Sequence, residues 1–264
     1  MSPILITLGN LEIRWYSVLI LSTFIIGIII LEKDAPKQNI DKQIISNLCF
    51  YLIIVSILGA RLYYCIFNFD YYKVNLLDIF KIWEGGLAIH GGIIASIVFI
   101  IFYTKRYNIN LLKLLDMFTI PLILGQAIGR WGNFFNREAY GPITTYNYLK
   151  SLHIPKVIIN NMYINSNYHE PTFLYESIAC LIGLFIILIY KYTQKVKNGQ
   201  LAAIYFIIYG SIRLFIESLR QDSLMFFNFK VAQIISVVMI VVGIILFIQT
   251  LRSNYDQQKM GHRS

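Results

Sequence analysis

The sequence predicts an all-α integral membrane protein with about seven transmembrane helices, an interfacial arm and a small external head domain. Of its 264 residues, 57% are hydrophobic and only 14% are charged, whereas soluble domains are about 45–50% apolar and about 25% charged. Seven runs of the chain approach the roughly 20 apolar residues that a helix needs to cross the hydrocarbon core of a bilayer. No internal repeat or low-complexity linker separates a second domain, so residues 1–264 are treated as one membrane domain.

The seven predicted spans differ in polarity. Their approximate bounds are 13–31, 44–66, 87–103, 111–131, 173–192, 201–218 and 231–251. Spans four and six contain internal polar residues. Because a polar group inside a bilayer is costly, such residues are expected to face a cavity or a polar partner.

Basic residues indicate the orientation of the spans. Lysine and arginine concentrate after spans one, three, five and seven, for example at Lys33, Lys105, Lys191 and Arg252. Cytoplasmic loops carry the excess of Lys and Arg in membrane proteins, so we expect an external N-terminus and a cytoplasmic C-terminus. The net charge of +9 is spread between apolar runs, and a nucleic-acid partner is not expected.

Two connections on the predicted external side are long. Residues 68–84 alternate aromatic and charged side chains, as at Phe69, Tyr71 and Trp83, which is typical of a segment lying in the membrane interface. We call this segment the arm. Residues 139–170 are polar and rich in asparagine, and predict an external head insertion.

Many polar residues within or at the ends of the predicted apolar spans lie towards the external side. Nothing comparable gathers at the cytoplasmic ends. The sequence therefore predicts a site towards the outer leaflet, and its candidate residues are Tyr16, Arg61, His90, Arg130, Asn133, Asn136, Glu138, Glu176, Arg213, Glu217 and Arg220.

The densest polar stretch runs from Gly129 to Gly141. At helical spacing, Arg130, Asn133 and Arg137 share one face. Such a face suits a phosphate, because a guanidinium binds two oxygens at once and stays charged when partly desolvated. Gly129 and Gly132 permit close approach of a neighbouring helix or a lipid headgroup. The alternative is an arginine that snorkels at a helix end, an interpretation most natural for Arg137 and Arg220.

Span six carries alternating charge on one face. Arg213 and Glu217 are four residues apart, and Arg220 lies seven residues after Arg213. An ion pair that only orients the helix is the plainer interpretation. If Arg213 faces Arg130, however, two arginines could clamp one phosphodiester and stabilise a phosphate leaving group.

His90 lies between two pairs of glycines. A lone histidine in an apolar run is usually a hydrogen-bonded packing residue. Here the glycines are expected to open space around the imidazole, whose pKa near neutrality suits proton transfer from a thiol.

Several common chemistries lack their motifs. The sequence has no HExxH, P-loop, GxSxG or dinucleotide fingerprint. Cys49, Cys65 and Cys180 lie in apolar runs without metal-ligand spacing, so we expect packing residues and no metal site. A lipid flippase or transporter remains the alternative function, although the midplane charges and internal repeat typical of that class are missing. An intramembrane protease or acyltransferase would need a nucleophile that no Ser or Cys near His90 in sequence provides.

Six motifs together resemble one known family. The run GRWGNFFNREAYG at 129–141 closely resembles the signature of the prolipoprotein diacylglyceryl transferases. Further matches in order and spacing are RWYS at 14–17, GARLYY at 59–64, WEGGLAIHGG at 83–92, PTFLYE at 171–176 and YGSIRLFIESLR at 209–220. The resemblance covers essentially the whole chain and implies seven spans with an external head.

The resemblance also implies an activity. Family members move the diacylglyceryl group of phosphatidylglycerol to the lipobox cysteine thiol of a preprolipoprotein, forming a thioether and releasing glycerol 1-phosphate, as the first step of bacterial lipoprotein maturation. No metal or organic cofactor is needed for this displacement. The expected partners are phosphatidylglycerol, the lipobox segment and the bilayer. The sequence gives no direct signal for oligomeric state, and a monomer is expected.

Residue roles follow from the matching motif positions. Arg130 corresponds to the family's phosphatidylglycerol-binding arginine, Arg213 to a second essential arginine and His90 to a proposed base or orienting group. The other implied or supporting positions are Tyr16, Asn133, Asn136, Glu138, Gly141, Arg61, Glu176, Glu217 and Arg220. In one departure, Glu170 stands where many members have histidine before the proline, and His169 lies one place earlier.

Overall fold

Long apolar helices dominate the computed structural model of this chain, which describes residues 2–9, 11–221 and 223–261. In chain order the helices are α1 Trp15–Asp34, α2 Lys42–Phe67, α3 Phe69–Tyr72, α4 Ile89–Arg106, α5 Leu111–Asn136, α6 Tyr146–Ser151, α7 Lys156–Asn161, α8 Thr172–Thr193, α9 Gln200–Leu219 and α10 Val231–Gly261. Within the described residues, seven helices are long and apolar enough to cross a membrane: α1, α2, α4, α5, α8, α9 and the Val231–Arg252 part of α10. The prediction of a mainly helical membrane protein with about seven spanning helices is confirmed.

Each predicted span overlaps one of these seven helices, and the main differences lie at the ends. Helix α1 begins at Trp15 because the preceding residues pair in a hairpin, and α5 continues to Asn136. Helix α2 starts earlier than predicted, at Lys42, where the Asp41 carboxylate accepts a hydrogen bond of 2.8 Å from the Gln43 amide and caps the helix.

Small sheets accompany the helices, which the all-α prediction did not include. Strands β1 Ile4–Leu8 and β2 Leu11–Arg14 form an antiparallel hairpin. Strands β3 Ile143–Thr144, β4 Tyr163–Ile164 and β5 Asn167–His169 form a sheet in the order β3-β5-β4. Strands β6 Met225–Phe226 and β7 Phe229–Lys230 form a second hairpin, between α9 and α10. Five of these strands have only two or three residues, too few to show an alternation of apolar and polar residues, whereas β2 does alternate as Leu-Glu-Ile-Arg.

The described chain divides into two compact units. One contains the residues up to Ile30 and those from Leu115 onwards, and the other runs from Leu31 to Leu114. In the first unit α9 packs against α8 and α10. Its buried apolar cluster contains Ile123, Ala127, Cys180, Ile187, Leu201 and Tyr205.

Helix α1 runs along a glycine-lined face of α5 in the same unit. A Cβ atom built on Gly125 would lie 3.8 Å from Thr23, and one on Gly129 would lie 4.0 Å from Ile20. One on Gly132 would overlap the ring of Tyr16. The close approach expected at Gly129 and Gly132 is therefore made by a neighbouring helix.

The stretch between α5 and α8 has its own apolar cluster. Leu149, Ile159 and Met162 from this stretch are almost fully buried, together with Phe134 and Phe173 from the flanking helices. The insertion is thus folded onto the ends of α5 and α8.

In the second unit, α2 packs closely against α4. Cβ atoms on Gly59 or Gly91 would overlap atoms of the facing helix, and a Cβ on Gly92 would lie 3.0 Å from the Ser56 carbonyl oxygen. Small residues here let the two backbones approach, as they do in helix pairs inside membranes.

Candidate anion-binding site

A single buried carboxylate joins two arginines from different helices. Glu176, on α8, has a side chain that is only 2% exposed. Its Oε1 lies 3.0 Å from Nη2 of Arg130 on α5, and its Oε2 lies 3.1 Å from Nη1 of Arg213 on α9. The two guanidinium groups predicted to meet therefore do meet, on either side of one carboxylate.

A second carboxylate extends the cluster along α9. The Glu217 side chain is 3% exposed, and its Oε2 lies 2.5 Å from Nη2 of Arg213 and 4.0 Å from Nη1 of Arg220. Arginines from two helices are thus gathered around two buried carboxylates. Guanidinium groups also bind oxyanions well, because each presents several donors in a planar fork, so the cluster is a candidate site for an anion.

Lys230 closes the end of α9. Its ammonium donates hydrogen bonds of 2.7 Å to the carbonyl oxygens of both Glu217 and Arg220. The Glu217 carbonyl also accepts from the Arg220 N–H at 3.3 Å, and a cation at this position interacts favourably with the last carbonyls of the helix. The bond holds the last turn, which carries Glu217, against strand β7.

Two asparagines continue the network from Arg130. The Arg130 Nη1 donates to Oδ1 of Asn133 at 3.3 Å. The amide nitrogens of Asn133 and Asn136 both donate to Oε1 of Glu138, at 3.0 and 3.2 Å. Arg130, Asn133, Asn136 and Glu138 therefore form one hydrogen-bonded chain, as their proximity in sequence suggested.

Arg137 does not share the predicted face, and that expectation was wrong. Helix α5 ends at Asn136, and Arg137 has a left-handed φ of 54°. Its Nε donates instead to Oδ1 of Asn161 at 3.3 Å, while the Asn161 amide donates to the Phe134 carbonyl oxygen at 2.9 Å. The helix end turns Arg137 towards the insertion.

Backbone contacts hold Gly141, the last residue of the signature. Its N–H donates to the Glu170 carbonyl oxygen at 2.9 Å, and its own carbonyl oxygen lies 3.0 Å from Nδ1 of His169. A Cβ here would lie 2.9 Å from Cγ2 of Thr172. His169 is buried, and its ring lies against that of Tyr140 at a tilt of 53°, with 4.4 Å between ring centroids, so in this chain it supports the signature loop.

The start of α1 lies beside the same stretch of α5. The Tyr16 ring contacts Gly132, and Trp15 stacks on Phe135 with 4.8 Å between ring centroids. Tyr16 is 40% exposed. It therefore adjoins the signature helix and remains accessible.

Sequence reasoning missed Tyr209. This residue lies on α9 and interacts with the Arg130 guanidinium. It precedes Arg213 by four residues and Glu217 by eight, so all three lie on one helix face. That spacing was the available signal.

His90 and Arg61 belong to the second unit, which runs from Leu31 to Leu114. His90 is half-buried in the first turn of α4, and its ring centroid lies 6.4 Å from that of Tyr63. The sequence predicts open space around the imidazole from four neighbouring glycines, but three of them are closely packed. Gly91 and Gly92 face α2 at close range, and a Cβ on Gly86 would lie 2.5 Å from Nη1 of Arg61. A Cβ on Gly85 would meet nothing within 4 Å, so open space is found at that glycine.

Within the described ranges, no group of three or more His, Cys, Asp or Glu residues could hold a metal ion. The three cysteines are buried and free, as their sequence surroundings predicted: Cys49, Cys65 and Cys180.

Seven apolar helices and a buried cluster of arginines and carboxylates define a multi-pass membrane protein with a candidate anion-binding site. The sequence model of the family described as "Prolipoprotein diacylglyceryl transferase" matches residues 3–249. The chain belongs to this family, and it is a transferase of the bacterial cell membrane.

Its relatives match along nearly their whole length. The chain is 42% identical over 265 residues to the phosphatidylglycerol–prolipoprotein diacylglyceryl transferase of Listeria innocua, covering 99% of this chain and 95% of the relative. Identity to the protein of the same name from Listeria monocytogenes strain EGD-e is 43% over 266 residues, with the same coverage. For the Streptococcus suis protein of that name it is 43% over 256 residues, covering 96% and 94%.

Proposed function

We propose that this chain transfers the sn-1,2-diacylglyceryl group of phosphatidylglycerol to the lipobox cysteine thiol of preprolipoproteins. The products are a thioether and glycerol 1-phosphate. Family membership and the names of relatives that match over their full length support the reaction class. The observation that carries the site assignment is the pair of guanidinium groups from α5 and α9 held on opposite oxygens of Glu176.

Arg130 and Arg213 bind the lipid phosphate. In the structure each of the two guanidinium groups contacts one oxygen of the Glu176 carboxylate. A phosphodiester also has two unesterified oxygens, and guanidinium groups bind such oxygens well. The phosphodiester carries one negative charge, whereas the departing phosphate monoester carries close to two at neutral pH, since its second pKa is about 6. Fixed positive groups stabilise this added charge in the transition state.

The displacement balances without a cofactor. The thiolate sulfur forms a bond to the glycerol carbon, the bond between that carbon and the phosphate oxygen breaks, and the electron pair leaves on the phosphate. His90 receives or directs the thiol proton, a role that suits an imidazole near neutral pH. Asn133, Asn136, Glu138, Gly141 and Tyr16 line or support the headgroup site.

Three further residues keep the cluster in place. Glu176 and Glu217 hold Arg213 between them, and Arg220 completes the charge pattern at the end of α9. Buried ionic groups need such partners, because each would otherwise carry a large desolvation penalty.

We place the site towards the outer leaflet, with the N-terminus outside and the C-terminus in the cytoplasm. The distribution of lysine and arginine supports this orientation. The arm then lies in the outer interface, and residues 139–170 form the external head. The enzyme acts as a monomer.

A reconstituted assay tests the reaction and the two arginines together. Purified protein is mixed with phosphatidylglycerol vesicles and a synthetic lipobox peptide, and mass spectrometry measures diacylglyceryl addition to the cysteine. We expect Arg130→Ala and Arg213→Ala to reduce kcat/KM by about 10²–10³-fold, the usual effect of removing a group that stabilises developing charge. Arg106→Ala is the control, because Arg106 is exposed at the end of α4. Absence of thioether product with the unmodified chain, under conditions where the Listeria innocua relative is active, would reject the proposal.

A further inference from the structure

Arg61 lies inside the second unit with every donor of its guanidinium in use. The residue, on α2, is 6% exposed. Its five hydrogen bonds all end on main-chain carbonyl oxygens, those of Ile79 at 2.9 Å, Gly85 at 2.7 Å, Gly86 at 3.1 Å, Asp78 at 2.5 Å and Lys81 at 3.2 Å. A guanidinium has five N–H groups, so these contacts leave none for a phosphate.

All five acceptors come from one short stretch of irregular chain. Residues 78–86 take in the end of the 3-10 turn Leu76–Phe80 and the whole turn Ile82–Glu84, and contain no α-helix or strand. Two of the five carbonyl groups also accept a hydrogen bond within these turns, Asp78 from the Lys81 N–H at 3.1 Å and Lys81 from the Glu84 N–H at 3.3 Å. The Tyr72 ring, 5.3 Å from Cζ of Arg61, covers the same guanidinium. Arg61 thus adds to the short-range bonds of the turns and ties the irregular end of the arm to α2.

The same contacts reach the start of α4. Gly86 precedes His90 by four residues, and the Ala88 N–H donates to the carbonyl oxygen of Ala60 at 3.0 Å. Residues 60 and 61 of α2 therefore hold the chain on both sides of Leu87. Gly86 has no room for a side chain, because a Cβ would lie 2.5 Å from Nη1 of Arg61 and 2.8 Å from Cε1 of Tyr64.

We propose that Arg61 is a positioning residue: through the carbonyls of residues 78–86 it fixes the entry into α4, and so sets the position of His90. The link to catalysis rests on the role of His90 in the proposed function. The anchoring itself rests only on the contacts of Arg61. A lysine could not replace this arginine, since one ammonium with three donors cannot reach five carbonyls spread around a planar fork.

Hydrogen–deuterium exchange in lipid nanodiscs tests the anchoring without reference to activity. We expect Arg61→Lys to speed exchange in peptides covering residues 78–90 by at least about tenfold, while peptides from α9 keep their rates. Arg106→Lys is the control. If Arg61→Lys does not fold, Gly86→Ala disturbs the same contacts, and Gly85→Ala controls for backbone strain. Both glycines have a positive φ, 69° and 89°, but a Cβ on Gly85 meets nothing within 4 Å. Unchanged exchange in 78–90 for Arg61→Lys, or equal exchange in the two glycine variants, would overturn the proposal.

Kinetics then test whether the anchor acts through His90. Arg61→Lys should lower kcat by about tenfold or more and leave KM for phosphatidylglycerol within about twofold. Once His90→Gln is present, adding Arg61→Lys should cost little more. Fully multiplicative losses would overturn positioning through His90. If His90→Gln retains full activity while exchange in 78–90 still rises in Arg61→Lys, the catalytic role of His90 is rejected and the anchor stands.

Discussion

Arg213 donates a hydrogen bond of 3.1 Å from α9 to the carboxylate of Glu176 on α8. The other oxygen of that carboxylate lies 3.0 Å from Arg130. Two like charges from separate helices are thus brought together by one anion, in the arrangement that a phosphodiester would require. Glu176 organises the two arginines and occupies the position in which the lipid phosphate is proposed to bind.

Replacing Glu176 with glutamine should destabilise the protein in a membrane without anionic lipid. The change leaves two buried guanidinium groups without their shared anion, and breaking a buried ionic contact in this way costs about 3–5 kcal/mol. Phosphatidylglycerol should restore part of the loss by supplying a negative charge. Thermal unfolding of Glu176→Gln in nanodiscs of phosphatidylglycerol or phosphatidylcholine measures both effects.

The matched control is Glu12→Gln, since Glu12 pairs with Arg14 at 3.7 Å but is 48% exposed. Exposed pairs of this kind contribute about 0–1 kcal/mol. If the anionic lipid raised the Tm of Glu176→Gln by no more than that of the unmodified chain, Glu176 would not share its site with a phosphate.

Arg130→Lys should lower kcat/KM by at least about tenfold while preserving the charge. A lysine ammonium cannot contact both the Glu176 side and the Asn133 side of the site, as the Arg130 guanidinium does at 3.0 and 3.3 Å. The assay is the lipobox-peptide reaction across a range of phosphatidylglycerol fractions, with Arg106→Lys as the matched replacement. Full activity of Arg130→Lys would show that the two-sided contact of the Arg130 guanidinium is dispensable and that its charge alone is required.

Much of the fold was predictable because lipid imposes a simple rule on sequence. A span needs a long apolar run, and all seven predicted runs coincide with long helices. The site was predictable for the same reason, since Arg130, Glu176 and Arg213 are too polar to lie in a span without a partner. Helix periodicity shows which residues share one face of a helix, but not which helices lie next to each other. The meeting of Arg130 and Arg213 at the Glu176 carboxylate was therefore not predictable from it.

The errors have local causes. Helical spacing placed Arg137 beside Arg130, but the helix ends one residue earlier, at Asn136, where spacing no longer applies. The glycines near His90 suggested free space, whereas Gly91 is small so that α2 can approach. In a sequence, a glycine is compatible with a cavity and with a close contact between helices. Only the packed structure distinguishes the two.

Gly132→Ala should reduce activity more than Gly129→Ala. A methyl group at Gly132 would overlap the Tyr16 ring and displace it, whereas one at Gly129 would lie 4.0 Å from its nearest neighbour, Ile20. Both changes replace glycine with a better helix former, so the difference isolates the contact with Tyr16. We expect a loss of roughly tenfold for Gly132→Ala and under about twofold for Gly129→Ala in the lipobox-peptide assay. Equal activities would show that the position of Tyr16 is unimportant.

The arm should lose order in acid through Asp78. Hydrogen bonds from the Lys81 ammonium and then from the Tyr71 hydroxyl hold the pKa of the Asp78 carboxyl below its ordinary value. The unfolded carboxyl has a pKa of about 3.9. Because the pKa of Asp78 is lower in the folded protein, its ionised carboxylate stabilises the arm fully at any pH above the unfolded pKa. This stabilisation disappears as the pH falls through the folded pKa.

Fluorescence of Trp83 measures this transition, in a chain with Trp15→Phe and Trp131→Phe so that the arm alone reports. We expect constant emission from pH 8 to about 5 and a change below about pH 4, in the region of the carboxyl pKa. Asp78→Asn should lack the transition because its side chain does not titrate. Asp70→Asn should keep it, since Asp70 belongs to the same arm but has a side chain that is 95% exposed. A transition of equal size in Asp78→Asn would assign the acid sensitivity to another group and leave the ion pair with Lys81 without a role in the order of the arm.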